Sequence, residues 1–270
     1  MRARLATVRG DGRLVAAGAV SSSSAPPEID PPLDPLALYA GAIDTSDYVA
    51  KIAPLVSRLV PAVGDLLDVG AGGGQLGHAL REKGRKSTAI EPSPSMRARL
   101  AQLAPPPEVI AQGWQDAQVA AAGHDTVLAA TMPAFLDEPE VFLARCRTWT
   151  RRSIVWIVPA HAGPRGLCFA GCLPLAWHGE DETPGIDIVR RGLAPASQPR
   201  EIAFIDWTFS GIVADLPRLA RYLADRLGWP AGDPRRADLR IHLAARATPT
   251  AAGLRLDIPR KSAVCVWGKE

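Results

Sequence analysis

The feature that most constrains the fold is a glycine cluster directly after an apolar run. Residues 66–77 read LLDVGAGGGQLG, so a strand-like segment is followed by five glycines and then by helix-forming residues. Glycine permits backbone conformations that a side chain forbids, and it lets a ligand approach the main chain closely. A strand, a glycine-rich turn and a helix in this order predict a site for a nucleotide-type cofactor.

Strands and helices are predicted to alternate after this loop. The predicted strands are 66–70, 87–92, 108–112, 125–131 and 153–160, and the helices between them are 75–83, 95–103 and 138–148. Such alternation is typical of a parallel sheet. Right-handed crossovers then place helices on both faces, so we expect an α/β fold with a doubly wound, mostly parallel sheet. Ligands of such sheets bind beyond the carboxyl ends of the strands.

The N-terminal part of the chain is predicted to lie apart from this domain. Two short extended runs around an Arg-Gly-Asp-Gly turn predict a hairpin, and residues 21–35 are rich in Ser and Pro, which is typical of a linker. We therefore divide the chain into residues 1–35 and a domain of residues 36–270. Residues 44–60 at its start have apolar side chains at helical spacing and predict an amphipathic helix.

The C-terminal part is predicted to complete the sheet. Residues 200–211 predict a further strand, and residues 215–229 predict an amphipathic helix with Leu on one stripe. A short helix around 237–245 precedes two extended halves about residues 259–261. We expect these halves to form a terminal hairpin that adds an antiparallel strand to the sheet.

Composition excludes several classes of protein. The chain has 270 residues, 47% of them hydrophobic, and a formal net charge of only +3 without a long basic run, which disfavours a nucleic-acid partner. No apolar run reaches the roughly 18 residues of a membrane span. Four cysteines do not make a disulfide framework, so a cytoplasmic protein is expected. The start, MRARLATVRG, has the basic residues of a signal peptide, but Gly-Asp-Gly-Arg interrupts the order that such a peptide needs.

The glycine cluster can be aligned with cofactor motifs in two ways. Residues 72–77 match G-x-G-x-x-G, the dinucleotide pattern, but that match starts well beyond the strand end. Residues 68–74 instead place Asp68 inside the strand end, with glycines at every second position. This resembles the first motif of the class I S-adenosylmethionine-dependent methyltransferases, (D/E)-x-G-x-G-x-G. A carboxylate there suits the ammonium group of S-adenosylmethionine and would repel a pyrophosphate.

The resemblance implies a set of cofactor contacts. In the first motif these are Asp68, Gly70, Ala71 and Gly72. Glu91, at the end of the second strand, is expected to accept hydrogen bonds from the ribose hydroxyls, with Pro92 beside it. Because dinucleotides need the same acid, Glu91 does not separate the two cofactors. Ser93, which follows Pro92, can contact the ligand or serve equally well as the N-cap of the following helix.

Two further positions of the resemblance follow the third and fourth strands. Trp114 is expected to stack on adenine with Gln115 or Asp116 near its amino group, although packing against a helix is an alternative for Trp114. Thr131 begins the sequence TMPAF, which stands where methyltransferases of base nitrogens or glutamine amides have (N/D)-P-P-(Y/F). The side chain that grips an amino group is missing there, and no cysteine is present for a covalent adduct.

Residues 161–198, named the cap segment here, form a Gly- and Pro-rich insertion with many apolar side chains. We expect a cap over the substrate, and an edge seal or a homodimer contact are the alternatives. His161 and His178 are candidate bases, but no catalytic residue is assigned. A metal site of both histidines with Cys168 and Cys172 is disfavoured because apolar residues surround the thiols, so no metal is expected.

The sequence therefore predicts S-adenosylmethionine-dependent methyl transfer to a small or medium organic molecule. Three alternatives remain at this point: transfer of the aminocarboxypropyl group of the same cofactor, an NAD(P)-dependent oxidoreductase, and a non-catalytic partner protein that keeps the cofactor pocket. The oxidoreductase should show a Tyr-Lys or His catalytic pair, which the sequence does not offer. We expect a small-molecule partner and neither nucleic acid nor membrane.

Overall fold

The computed structural model describes residues 33–163, 169–178 and 183–268. The predicted N-terminal hairpin and nearly all of the predicted linker lie outside these residues. The helices of the described part are α1 (Pro35–Thr45), α2 (Tyr48–Leu59), α3 (Gln75–Leu80), α4 (Pro94–Leu100), α5 (Pro139–Trp149), α6 (Leu175–His178), α7 (Gly185–Gly192), α8 (Leu216–Arg226) and α9 (Arg235–Arg246). Its strands are β1 (Leu66–Val69), β2 (Ser87–Ile90), β3 (Glu108–Ile110), β4 (His124–Ala130), β5 (Thr150–Pro159), β6 (Glu201–Val213), β7 (Thr248–Thr250) and β8 (Gly253–Gly268).

The sheet confirms the predicted α/β architecture. Its strand order is β3-β2-β1-β4-β5-β8-β6, with β7 paired to β8. Strands β1 to β5 are parallel, whereas β8 runs antiparallel to both β5 and β6. The chain order reverses between β1 and β4, and a crevice opens beyond the carboxyl ends of the strands at such a switch point.

The predicted terminal hairpin about residues 259–261 is wrong. Strand β8 runs unbroken through 16 residues and lies between β5 and β6. Its pairing with β5 covers only Ser262 to Gly268, so Pro259 lies where none of the described strands pairs with β8 on the β5 side. A proline is tolerated in a strand at such an edge, because its missing N–H breaks no ladder bond there. The predicted antiparallel C-terminal strand itself is confirmed.

Both faces of the sheet are buried. Along β5, Val155 and Ile157 belong to a core formed with α2, α8 and α9, while Ile154 and Trp156 belong to a second core with α5. The ring of Phe142 from α5 lies 4.7 Å from that of Trp156, centroid to centroid. Alternation of side chains along a strand explains why neighbours in sequence enter opposite cores.

Among the described helices, none combines the length and apolar character that crossing a bilayer requires.

Candidate functional site

A cavity of about 370 Å³ lies at the carboxyl ends of the parallel strands. Its wall includes Asp68 of β1, Glu91 just after β2, Thr131 just after β4 and Pro159 at the end of β5. Of the nine predicted cofactor residues, the structure brings seven into this wall: Asp68, Gly70, Ala71, Gly72, Glu91, Pro92 and Thr131.

The backbone of the glycine loop uses the predicted register. Gly70, Gly72 and Gly74 have φ angles of 66°, 56° and 78°, in the left-handed region that disfavours other residues. These three are the alternating glycines of the first motif. A Cβ placed on Gly72 would meet nothing within 4 Å, so this residue faces open space in the cavity. One on Gly70 would lie 2.9 Å from Cζ of Phe135, so here the loop packs against protein.

Glu91 holds the loop from behind. Its side chain is 5% exposed, and its two oxygens accept main-chain N–H groups of Gly72 and Ser93, each at 2.8 Å. Each carboxylate oxygen has a second lone pair, so Glu91 keeps the capacity to accept hydroxyl groups. Ser93 also takes the role of N-cap, because its Oγ accepts the N–H of Met96 in the first turn of α4.

Asp68 is a buried carboxylate on the cavity wall. It is 7% exposed and has no hydrogen-bond or ion-pair partner among the described residues. Burial, and then the charge of Glu91, raises the pKa of Asp68 to about 7. Gly77 of α3 lies so close that a Cβ there would collide with the carboxylate, which explains the fifth glycine of the cluster. A buried carboxylate of this kind is stabilised by a cation such as an ammonium group.

Aromatic side chains from α1 and α2 line the cavity next to these acids. The Tyr48 hydroxyl is buried and has no hydrogen-bond partner in the described part of the chain, and burial raises the pKa of this phenol well above its usual value. The Tyr48 ring packs edge-on against Trp207 at 4.7 Å. Tyr39 donates its hydroxyl to Oγ1 of Thr131 at 3.2 Å and stacks on Phe209 at 5.7 Å.

Thr131 has a strained backbone at the cavity. Its φ is +58°, an uncommon value for a β-branched residue, and its N–H donates to the carbonyl of Ile157 in β5 at 3.0 Å. Strain that the surrounding structure maintains is common at functional sites. The turn after β4 is therefore fixed by β5 on one side and by Tyr39 on the other.

Helix α1 closes one side of the cavity, which the sequence did not predict. Pro35, Leu36, Tyr39, Ala40 and Ile43 line it. Gln75, the first residue of α3, donates Nε2 to the carbonyl of Ala40 at 3.1 Å and to Oδ1 of Asp44 at 2.7 Å. Arg99 of α4 pairs with the same Asp44. These contacts join α1 to α3, the helix that follows the glycine loop, and to α4.

The structure does not bring Trp114 and Gln115 into the described wall of the cavity. Trp114 is 7% exposed and packs edge-on against Phe135 at 6.4 Å and Phe142 at 5.1 Å, in the core beneath α5. Gln115 is exposed. The packing role is thus the one visible for Trp114, and its contact with adenine stays a prediction.

A histidine and an arginine meet at the β5 and β8 side of the cavity. His161 lies just after β5, and its Nε2 is 2.8 Å from Nη1 of Arg260. Because a guanidinium only donates, Nε2 accepts, and Nδ1–H donates to the carbonyl of Lys261 at 2.9 Å. The Nε2 lone pair is thus engaged, so His161 in this arrangement is not a base. His178, the other candidate base, is not in the described cavity wall.

The described parts of the cap segment make two kinds of contact. His161, Gly163, Thr183 and Gly185 line the cavity, so the ends of the segment belong to the site. The described middle of the segment packs away from the cavity. The carbonyl of Cys172 accepts a hydrogen bond from Nε2–H of His242 at 2.7 Å, in the tautomer that this contact requires. Trp177 packs on Trp229. Cys168 lies outside the described residues, within which no group of three His, Cys, Asp or Glu is placed to hold a metal.

Comparison with known proteins agrees with this geometry. Residues 67–154, from β1 into β5, match the family model described as a methyltransferase domain. Over these residues the chain is similar to methyltransferase domains. The matched segment contains the glycine loop, Asp68, Glu91 and Thr131, and so all seven of the predicted cofactor residues that line the cavity.

Solved structures of methyltransferases resemble the chain over most of its length. A candidate type II methyltransferase from Anaeromyxobacter dehalogenans is 18% identical, covers 89% of this chain and 98% of its own, and superposes with a TM-score of 0.49. A methyltransferase from Thermotoga maritima, described as a possible histamine N-methyltransferase, is 13% identical, with coverages of 82% and 89% and a TM-score of 0.42. No curated protein matches the chain.

Proposed function

We propose that this methyltransferase domain transfers the methyl group of S-adenosylmethionine to a small organic molecule. The observation that carries the proposal is the joint placement of Asp68, Gly72 and Glu91 on one cavity wall. The buried Asp68 carboxylate suits the ammonium of the cofactor, and the open face of Gly72 leaves room for its body. Glu91 has lone pairs for the ribose hydroxyls.

The residues that this chain supplies act by binding, orientation and exclusion of water. S-adenosylmethionine, when bound, supplies a methyl group on a positively charged sulfur. Rate then depends on holding the acceptor in line with that methyl group in a site with little water. Helix α1 and the rings of Tyr48, Trp207 and Phe209 provide such an enclosure. No described residue is required to act as a base if the acceptor arrives deprotonated.

The size and charge of the protein support a small acceptor. A cavity of about 370 Å³ is at the lower end of the volumes of ligand sites, which run from roughly 300 to 1,000 Å³. A net charge of +3 without a long basic run gives little attraction to nucleic acid. Tight, steeply salt-dependent binding of RNA or DNA would contradict this part of the proposal.

Calorimetric titration followed by product analysis tests the proposal. We expect S-adenosylmethionine and S-adenosylhomocysteine to bind and NAD not to bind, since a pyrophosphate would approach Asp68. Mass analysis of acceptors after turnover should show added methyl groups. Addition of an aminocarboxypropyl group would support the proposed cofactor but contradict methyl transfer. Binding of NAD alone would contradict both the proposed cofactor and the proposed reaction.

A further inference from the structure

We propose that two copies of this chain associate through the first half of β6, which pairs antiparallel with the same segment of the other copy. Strand β6 is an edge of the described sheet, because β8 is its one neighbour among the described strands. The outward main-chain groups of an edge strand are a template for a further strand. The interface proposed here lies on β6 and not on the cap segment, and it does not depend on the proposed function.

The pairing of β6 with β8 shows which main-chain groups point outward. Thr208 lies opposite Pro259, and because proline has no N–H, this pair cannot exchange both ladder bonds. The N–H of Thr208 instead donates to Oδ1 of Asp47 at 2.6 Å, on the outer side of the strand. The carbonyl of Ser210 likewise accepts from Oγ1 of Thr45 at 2.6 Å. Since direction alternates along a strand, the even-numbered residues of β6 present their N–H and C=O groups outward.

The two halves of β6 differ in what covers them. From residue 207 onward, α1, α2 and the turn between them lie against the strand, and Trp207 and Phe209 are buried. Residues 201–206, named the open edge here, are all partly or fully exposed. No described residue bonds to the outward main-chain groups of Ile202 and Phe204, and Phe204 is 58% exposed. An unpaired edge with an exposed aromatic ring is a site for pairing with another chain.

Charge complementarity selects a second copy of this chain as the partner. Arg200 directly precedes the open edge and Asp206 ends it, so opposite charges stand at its two ends. When a two-fold axis at residue 203 turns the segment around, Arg200 lies opposite Asp206 of the second copy, and Ile202 lies opposite Phe204. An axis at residue 204 would instead set Asp206 against the apolar Ile202. Charge therefore favours both this partner and this register.

Both charged side chains are accessible for the contact. Arg200 is exposed and has no ion-pair partner among the described residues. The side chain of Asp206 is 79% exposed, and its Oδ1 lies 3.6 Å from Nζ of Lys261, which is longer than a hydrogen bond. The carboxylate of Asp206 therefore keeps acceptor capacity for a guanidinium. Arg200 takes part through its side chain alone, because its N–H donates to the carbonyl of Val266 in β8.

Main-chain pairing and apolar burial supply the affinity in this arrangement. Ile202 exchanges main-chain hydrogen bonds with Phe204 of the second copy, and their side chains cover each other on one face. The exposed ion pairs contribute little energy, but they disfavour other partners and other registers. Because the paired segment is short, we expect a reversible dimer with a dissociation constant of about micromolar order.

Sedimentation equilibrium of the full chain over about 1 to 200 μM tests the proposal. We expect a reversible equilibrium between monomer and dimer in the unmodified protein. Arg200→Asp brings two carboxylates together at each end of the paired segment, and Asp206→Arg brings two guanidinium groups together. Each variant alone should therefore have a dissociation constant at least about tenfold higher. Phe204→Ser, which removes the exposed ring without a change of charge, should also weaken association and serves if a charge reversal fails to fold in a thermal melt.

An equal mixture of Arg200→Asp and Asp206→Arg is the decisive sample. In a mixed dimer, every pair of opposing residues again carries opposite charges, because each variant supplies what the other lacks. We expect the mixture to associate about as tightly as the unmodified protein. Recovery in the mixture requires that positions 200 and 206 of different copies meet, so an interface elsewhere on the chain would not produce it.

Glu108→Arg is the matched control. Glu108 lies in β3, at the opposite edge of the sheet, and its carboxylate pairs with Lys86 at 3.0 Å, as that of Asp206 faces Lys261. The change in charge equals that of Asp206→Arg, and we expect the dissociation constant of the dimer to stay the same.

Three results would overturn the proposal: a monomer at every concentration, a dimer that both charge reversals leave intact, or a loss in the single variants that the mixture does not restore. A monomer would assign to the charged ends of the open edge the opposite role, protection of the edge from pairing. Neither Arg200 nor Asp206 belongs to the described cavity wall, so S-adenosylhomocysteine affinity should be the same in all of these variants.

Discussion

Oε2 of Glu91 accepts the main-chain N–H of Gly72 at 2.8 Å, which joins the end of β2 to the loop after β1. Glu91 is the carboxylate expected to bind the ribose, and Gly72 is the loop residue that faces open space in the cavity. One side chain thus supports the loop and offers its remaining lone pairs to the ligand. We therefore expect cofactor affinity and loop geometry to be coupled in this protein.

Glu91→Gln is expected to weaken S-adenosylhomocysteine binding by about 1.5 to 3 kcal/mol, because hydrogen bonds to a charged acceptor are lost. The variant should also lose stability, since an amide N–H must then face the N–H of Gly72 or of Ser93. Calorimetric titration and denaturant unfolding measure the two effects.

Glu82→Leu, which removes the hydrogen-bond acceptor, is the control for the loss of stability alone. Oε1 of Glu82 accepts the N–H of Val63 at 2.7 Å, and Glu82 is not part of the described cavity wall. This variant should lower stability while affinity stays unchanged. Equal affinities of both variants and the unmodified protein would contradict the role of Glu91 at the ribose.

The open face of Gly72 can be tested with a glycine of the same backbone conformation elsewhere. Gly72 has φ 56° and Gly84 has φ 77°, and a Cβ on either would meet no atom within 4 Å. Alanine at each position should cost about 1 to 2 kcal/mol of unfolding free energy, because the left-handed conformation is strained. Only Gly72→Ala should also lower the affinity for S-adenosylhomocysteine. A similar affinity for both variants would place the ligand away from this loop.

Local pattern was sufficient to predict the parallel part of the sheet and seven residues of the cavity wall. Strands and helices follow from periodicity, and the carboxyl ends of parallel strands meet at one edge, so Asp68, Glu91 and Thr131 come together by topology alone. The spacing of the glycines alone was enough to choose between the two motif alignments, because the left-handed backbone that requires glycine is a local property.

The rest of the site depends on contacts between distant parts of the chain. Arg260 contacts His161, which is about a hundred residues away in the sequence. Pro259, next to Arg260, has the local signature of a turn. Its tolerance in β8 depends on where the pairing with β5 ends, which no local pattern reveals. Helix α1 was likewise not predicted to line the site, because Gln75 and Arg99 fasten it through side chains remote in sequence.

Trp114→Phe separates the two roles of Trp114. The structure packs this ring edge-on against Phe135 and Phe142, and its Nε1 has no hydrogen-bond partner among the described residues, so the substitution removes packing but no hydrogen bond. We expect a loss of about 1 to 2 kcal/mol in unfolding free energy. If packing is the only role of Trp114, S-adenosylhomocysteine affinity should stay within about twofold, because this residue is outside the described cavity wall. A tenfold loss would instead support stacking of Trp114 on adenine.

Asp68 should make both stability and cofactor binding depend on pH. Burial raises the pKa of its carboxyl to about 7 from 3.8, so between these values the folded protein holds a proton that the unfolded chain has released. The contribution of Asp68 to the unfolding free energy therefore falls as pH rises from about 4 to 7, by up to about 4 kcal/mol. Asp68→Asn should remove this fall and be more stable than the unmodified protein at pH 8.

The same ionisation should tighten binding of the cofactor as pH rises from 6 to 8, because the ammonium is attracted only to the charged form of Asp68. With the pKa of Asp68 near 7, we expect S-adenosylhomocysteine affinity to increase by up to about tenfold over this range, and to be weak and nearly independent of pH in Asp68→Asn. Asp125→Asn is the control: Arg151 lowers the pKa of Asp125 to about 2, so this group does not titrate in the window. That variant should keep the full pH dependence of binding, although it loses stability throughout. Titrations at pH 6, 7 and 8 decide the matter, and a pH dependence that survives in Asp68→Asn would assign it to another group.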